Sequence, residues 1–138
     1  MDSSNNSSIV IKLTGLDATG FSYLVTGDTE RERWDGINRY FGKHLASPVM
    51  AAPHHGSRNG VNPETLLLVN PHTVLISAGV DNCYGHPDGV AVQAYRKVAA
   101  QVFTTNADRA GTSFLTRKVN GRFETHALAH AARRAANA

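Results

Sequence analysis

The sequence predicts an α/β fold, on three observations. Strand-like and helix-like segments alternate through the middle of the chain, which is typical of α/β proteins. The stretch Thr73–Ala78 is almost continuously apolar, as expected for a strand buried on both faces of a sheet that helices cover. Polar clusters follow directly after three apolar strands, at the edge where ligands bind to such sheets.

The composition indicates a globular chain with one folding unit over residues 1–138. Hydrophobic residues make up 41% and charged residues 18%, which excludes a disordered protein. The net charge of +3 is compatible with a phosphate-bearing substrate but does not by itself argue for one. Cys83 is the single cysteine, so the chain has no internal disulfide. No signal peptide or membrane-length apolar stretch is present, so we expect a cytoplasmic location without membrane contact, unless the chain is part of a larger membrane protein.

The two ends of the chain are expected to be less regular than its middle. The Ser/Asn-rich start, Met1–Ser8, is expected to be frayed. The ordered part is expected to span about residues 5–128 and to be followed by an Ala/Arg-rich tail over 129–138.

Local signals predict the elements in order. Residues 9–25 form a hairpin, and a helix follows from an N-cap at Thr29, with Glu32 completing a capping box, to a stop at Gly42. The remaining elements are predicted from proline, glycine and capping residues. They are a strand at Pro48–Ala52, a helix from Asn62-Pro63 to Asn70, a strand at Thr73–Ala78, a helix capped by Asp88 over Gly89–Ala100, a strand at Val102–Thr105, and a hairpin of Phe114–Val119 and Arg122–Leu128.

Four of the polar residues after the strands have the chemistry of metal ligands. Asp28 follows the first hairpin, His54 and His55 follow the next strand, and His86 lies in the loop after Thr73–Ala78. Carboxylate and imidazole are suitable ligands for zinc, manganese or iron. Adjacent histidines on a loop point in different directions, so one is expected to ligate and the other to act on substrate or support the ligands.

Several motifs in this order resemble a known family. They are Asn-Asn-x-Ser-Ile-Val (5–10), Leu-Val-Thr-Gly-Asp (24–28), Ala-Pro-His-His-Gly-Ser (52–57), Ile-Ser-Ala-Gly-Val-Asp-Asn-x-Tyr-Gly-His-Pro (76–87) and Thr-Thr-Asn…Gly-Thr (104–112). Together they resemble the C-terminal half of a metallo-β-lactamase-fold hydrolase. They are most similar to the ComEC type, the domain attached to DNA-uptake channel proteins.

The resemblance implies the C-terminal half of an αββα metallo-β-lactamase-type sandwich with a two-metal site. By position, Asp28 matches a metal-bridging carboxylate and His54 a metal ligand. His86 is expected in a catalytic role near metal or substrate, together with His55. The substrate-binding residues are expected to be Ser57, Asn82 and Arg58. The implied cofactor is a divalent metal, zinc or manganese, with two ions in the complete site, and the implied substrate is a nucleic acid, a nucleotide or another phosphodiester.

The chain departs from this family in one respect. The defining His-x-His-x-Asp-His motif of the N-terminal half is absent from the sequence. The chain therefore holds about half of the ligands, and we expect a second chain or a self-dimer to complete the fold. Asn5-Asn6 lies where many relatives carry a further histidine ligand, although ComEC-type sequences also carry asparagine there.

Two alternatives to an incomplete hydrolase stay open at this point. One is a catalytically inactive module that dimerises through an exposed sheet. The other is a protein that binds a nucleotide or nucleic acid without hydrolysis. Metal content separates the hydrolase from the interaction module, and nucleic-acid binding that survives chelation favours the third reading.

Overall fold

A computed structural model describes residues 4–108 and 111–128, and it confirms the predicted α/β class. Five strands form one sheet in the order β1-β2-β3-β4-β5. Strands β1 and β2 are antiparallel, and β2 to β5 run parallel. The strands are β1 Ile11–Thr14, β2 Ser22–Val25, β3 Val49–Ala51, β4 Thr73–Ile76 and β5 Gln101–Thr104.

The register of the parallel strands places one apolar row on the face that the helices cover. Leu24 lies opposite Met50, Met50 opposite Val74, and Val74 opposite Val102. The first three of these side chains are almost fully buried in the core. Because side chains alternate between faces along a strand, this row sets which residues of each strand face the helices.

Three α-helices follow strands of the sheet within residues 4–108 and 111–128. They are α1 Arg31–Phe41, α2 Pro63–Val69 and α3 Gly89–Val98. Trp34 of α1 and Tyr95 of α3 are fully buried against the sheet. Two predicted caps are confirmed, since the Asn62 side chain accepts from the Thr65 N–H and the Asp88 side chain accepts from the Val90 N–H.

The predicted capping box at the start of α1 is wrong. The N-cap residue is Glu30, and its side chain makes no capping hydrogen bond. Thr29 is buried, and its hydroxyl donates to the Thr26 carbonyl at 2.7 Å, so it closes the turn after β2 and is not available as a cap. The helix therefore begins at Arg31, and Glu32 lies in its first turn, where a carboxylate stabilises the helix dipole.

A hairpin lies on the opposite face of the sheet and confirms the predicted Asn120-Gly121 turn. Strands β6 Ser113–Val119 and β7 Arg122–Leu128 pair antiparallel. Phe123 packs near Phe21, with ring centroids 6.1 Å apart, and Phe114 packs near Phe103 at 5.0 Å. The predicted Ala/Arg-rich tail at 129–138 lies outside the described residues.

The polar start of the chain is more ordered than the sequence indicates. Ser4–Ser7 forms a short 3₁₀ helix, and Asn6 is buried, so the expectation of a frayed end is wrong for this part. The segment is held by hydrogen bonds to the loop after β2. Within the described ranges, no helix is long and apolar enough to cross a membrane.

Candidate metal centre at the carboxyl edge of the sheet

The loops that leave β2, β3 and β4 meet at one edge of the sheet. The first loop carries Asp28, the second His54 and His55, and the third His86. The His54 N–H donates to the Gly27 carbonyl at 3.0 Å, which joins the first loop to the second. The rings of His54 and His86 lie 5.7 Å apart between centroids, so the third loop reaches the same place. The convergence that the sequence predicts is therefore present.

The backbone of the two histidines has an uncommon conformation. His54 has φ 49° and ψ 49°, and His55 has φ 54° and ψ 26°, both in the left-handed region. Residues other than glycine rarely adopt this region, and such strained positions concentrate at functional sites. The conformation turns both imidazoles towards the edge of the sheet, where Asp28 and Glu30 lie.

His55 and Asp28 form the first pair of candidate ligands. The Nε2 atom of His55 lies 3.4 Å from Oδ1 of Asp28. The other ring nitrogen, Nδ1, lies 2.8 Å from the Ser77 carbonyl, and a carbonyl can only accept, so Nδ1 carries the hydrogen. In neutral His55 the lone pair of Nε2 therefore faces a carboxylate. Two facing acceptors at this distance leave a place that a shared cation can occupy.

The distance between these two atoms fits a shared ion. Two ligands of one tetrahedral zinc ion, each about 2.0–2.2 Å from the metal, lie about 3.3 Å from each other. Both side chains are accessible from solvent, with exposed fractions of 54% for His55 and 42% for Asp28. An ion can therefore reach the pair without rearrangement of the core.

His54 forms a second pair with Glu30, a residue that the sequence did not single out. Its Nδ1 atom lies 3.2 Å from Oε1 of Glu30. This is within ion-pair distance, but Nδ1 is not aligned for a hydrogen bond. The structure thus places His55, and not His54, beside Asp28. The sequence-based assignment of His54 as the metal ligand remains a prediction, now with Glu30 beside it.

His86 is the third histidine of the edge, and its loop is tightly held. The Asn82 side chain donates to the His86 carbonyl at 2.7 Å and accepts from the His86 N–H at 2.9 Å. The Nδ1 atom of His86 is buried and has no hydrogen-bond partner among the described residues. Burial lowers the pKa of His86, and the nearby His54 and His55 lower it further. His86 is therefore neutral at pH 7 and keeps a lone pair on one ring nitrogen.

The three predicted substrate-binding residues make structural contacts. Ser57 is buried, and its hydroxyl accepts from the Asn59 N–H at the start of a short 3₁₀ helix. Asn82 holds the His86 loop, although it also lines a small cavity of about 210 Å³ with His55 and His86. Arg58 donates through Nε to Asp88 at 2.8 Å, and this bond lowers the pKa of the Asp88 carboxyl. Their roles towards a substrate remain predictions.

The donors at this edge fit part of a metal site and not a complete one. Within residues 4–108 and 111–128, no group of three or more His, Cys, Asp or Glu side chains is arranged to hold an ion. The edge instead offers two histidine–carboxylate pairs with one further histidine beside them. Imidazole and carboxylate suit zinc or manganese, so the residue types fit a metal site. The number of ligands in each pair is smaller than a complete site needs.

Comparison with known proteins gives one similarity that bears on this site. The chain is 33% identical over 110 residues to ComE operon protein 3 of Bacillus subtilis (strain 168). The aligned part is 80% of this chain but 13% of that protein, so the chain spans a small part of its relative. The name agrees with the ComEC-type resemblance of the motifs. No family model matches the chain, and no solved structure matches it.

Proposed function

We propose that the chain is the C-terminal part of a metal-dependent hydrolase of phosphodiester bonds, nuclease-like in its chemistry. The proposal rests on one observation. Two acceptor atoms, Nε2 of His55 and Oδ1 of Asp28, face each other at a distance suited to a shared cation. The fold that this proposal assigns is half of an αββα metallo-β-lactamase-type sandwich. The similarity to ComE operon protein 3 supports it, because the resemblance in the motifs is to the same type of protein.

Each residue of the edge then has a distinct role. Asp28 and His55 would hold a divalent metal, zinc or manganese, and His54, in the second pair, would add a further ligand. When bound, such a metal lowers the pKa of a water ligand and stabilises charge on the phosphoryl oxygens. His86 is half-buried, and burial lowers its pKa, so its neutral ring is suited to accept or return a proton near the reacting phosphate. Arg58 is expected to contact substrate phosphate through the guanidinium nitrogens that do not bind Asp88.

The missing ligands are expected from a further half of the fold. Strand β1 is exposed at all four of its residues and pairs only with β2 in the part of the chain described. Beside it lies an open cleft of about 600 Å³ whose lining includes Val10, Ile37 and Phe41. An exposed apolar edge of this kind indicates a contact with another segment or chain. A preceding segment of the full protein, a second chain or a self-dimer can supply this contact.

A module that dimerises without catalysis is the second candidate. The exposed apolar side chains of β1, Ile11 and Leu13, favour this function, since they need a partner whether or not metal binds. Metal binding distinguishes the two functions, because an interaction module has no need of Asp28 beside His55.

The substitution Asp28→Asn tests the proposed function. We expect the wild-type chain to bind zinc or manganese in calorimetric titration, and Asp28→Asn to weaken the binding by more than about 100-fold, beyond the 10–100-fold loss typical of residues that only support a ligand. Asp81→Asn is the matched control, because it removes the same charge from an exposed loop of the same edge, and it is expected to bind as the wild type does. Equal affinities of wild type and Asp28→Asn, or no binding by the wild type, would contradict the proposal.

A further inference from the structure

We infer that Glu30 is a positioning residue for His54, and that the segment Asn5–Ser8 holds Glu30 and Asp28 in place. This inference rests on the proposed function, because it assigns the orientation that a histidine needs to bind metal. Neither Glu30 nor the segment Asn5–Ser8 belongs to the ligand set expected from the sequence.

Glu30 lies at the start of α1, but its carboxylate faces His54 and does not cap the helix. It occupies the N-cap position of α1, yet its side chain makes no capping hydrogen bond. Its carboxylate lies 3.2 Å from Nδ1 of His54 and is 18% exposed. Withdrawing a carboxylate from water is unfavourable unless polar partners compensate, so this placement needs the contacts that surround it.

The charge of Glu30 favours one ring nitrogen of His54 as the hydrogen-bearing atom, although Oε1, 3.2 Å from Nδ1, is not aligned for a hydrogen bond. A carboxylate beside Nδ1 favours the tautomer with the hydrogen on Nδ1, which leaves the lone pair on Nε2. Metal-binding histidines commonly donate the other ring N–H to a carboxylate, which fixes the ring and raises its basicity. In His55 the acceptor beside Nδ1 is the Ser77 carbonyl instead of a carboxylate. Both adjacent histidines therefore present Nε2 as the metal-binding atom.

The segment at the start of the chain holds the loop that carries both carboxylates. Asn5 donates through Nδ2 to Oε1 of Glu30 at 3.0 Å, and Asn6 accepts the Glu30 N–H through Oδ1 at 3.1 Å. The Ser8 hydroxyl accepts the Asp28 N–H at 3.0 Å. These three bonds join residues 20 to 25 positions apart in sequence, and they hold the loop at the Asp28 backbone and at the backbone and carboxylate of Glu30. The polar segment thus holds in place the loop that carries Asp28 and Glu30.

The substitution Glu30→Leu removes the acceptor beside His54 and keeps the bulk of the side chain. Glutamine is unsuitable, because Oε1 of Glu30 faces both Nδ2 of Asn5 and Nδ1 of His54, and a glutamine carbonyl can take its place. Without an acceptor beside Nδ1, His54 is expected to carry its hydrogen on Nε2, the tautomer that free histidine favours. Glu32→Leu is the matched control, because Glu32 is an exposed carboxylate two residues further along the chain, in the first turn of α1.

The experiment is nitrogen-15 NMR of the histidine rings in the metal-free chain, followed by zinc titration. We expect His54 of the wild type and of Glu32→Leu to carry the hydrogen on Nδ1, and His54 of Glu30→Leu to carry it on Nε2. Zinc affinity should fall about 10–100-fold in Glu30→Leu and stay unchanged in Glu32→Leu. Asn5→Ala should move the His54 signals in the same direction by a smaller amount, which provides a second test if Glu30→Leu does not fold.

Two results would overturn the inference. One is a wild-type His54 with its hydrogen on Nε2, and the other is a tautomer that does not respond to Glu30→Leu in a folded chain. Because the tautomer is measured without metal, it is independent of the proposed function. A wild-type chain that binds no zinc but shows the expected tautomers would contradict the hydrolase proposal and leave the positioning contact intact.

Discussion

Gly56→Ala is expected to destabilise the folded chain by about 3 kcal/mol, the sum of a backbone term and a packing term. Gly56 has φ +77°, a conformation that alanine rarely adopts. A Cβ atom at this position would lie 2.8 Å from Cβ of Pro87 and 3.0 Å from Cγ2 of Ile76. The collision would push the loop of His54 and His55 away from the His86 loop. Urea denaturation measures the loss as a lower midpoint.

Gly85→Ala provides the matched control for this prediction. Gly85 has φ +68°, and nothing lies within 4 Å of the Cβ atom that alanine would add. Only the backbone term then applies, so a loss of about 1 kcal/mol is expected. Equal losses in the two variants would show that close packing of the two histidine loops does not contribute at Gly56.

Asn82→Ala is expected to cost about 2 kcal/mol and to loosen the His86 loop, because it removes three hydrogen bonds from a partly exposed side chain. Asn82 donates to the carbonyls of Gly79 and His86 and accepts from the His86 N–H. Asn106 donates to the same two carbonyls, at 3.2 and 3.0 Å. When one of the two asparagines is replaced, the other therefore still donates to both carbonyls.

A double-mutant cycle measures this sharing. In the variant with both Asn82→Ala and Asn106→Ala, the two carbonyls lose their remaining side-chain donors. We expect the loss of unfolding free energy to exceed the sum of the single losses by about 1 kcal/mol. Losses that add to within a few tenths of a kcal/mol would contradict the shared-acceptor arrangement. The His86 ring signals in NMR should broaden in the double variant, which links the loop to the site.

The elements with strong local signals were predictable from the sequence. The caps at Asn62 and Asp88 are local, because each side chain reaches an N–H two or three residues further along. The Asn120-Gly121 turn is also a local signal, because it joins two strands that are adjacent in sequence. The start of α1 was not predicted correctly, because its first carboxylate, Glu30, is held by the site instead of serving the helix.

The site was predictable in its position and only partly in its contacts. The ends of parallel strands meet at one edge, so Asp28, His54 and His86 were expected to converge. Their partners depend on backbone angles and on contacts between distant residues. The left-handed turn at His54 and His55 decides that His55 faces Asp28. The contact of Asn5 with Glu30 spans 25 positions and leaves no local signal except the polar pair itself.

Anomalous X-ray diffraction at the zinc edge, on crystals of the chain grown with zinc, tests the central claim most directly. We expect a peak about 2.0–2.2 Å from Nε2 of His55 and from the Asp28 carboxylate. His126 and Glu124 on β7 provide an internal comparison, since their Nε2 and Oε2 atoms lie 3.3 Å apart on an exposed surface. A zinc peak at that surface pair without one at Asp28, or no peak at all, would contradict a metal centre at the carboxyl edge of the sheet.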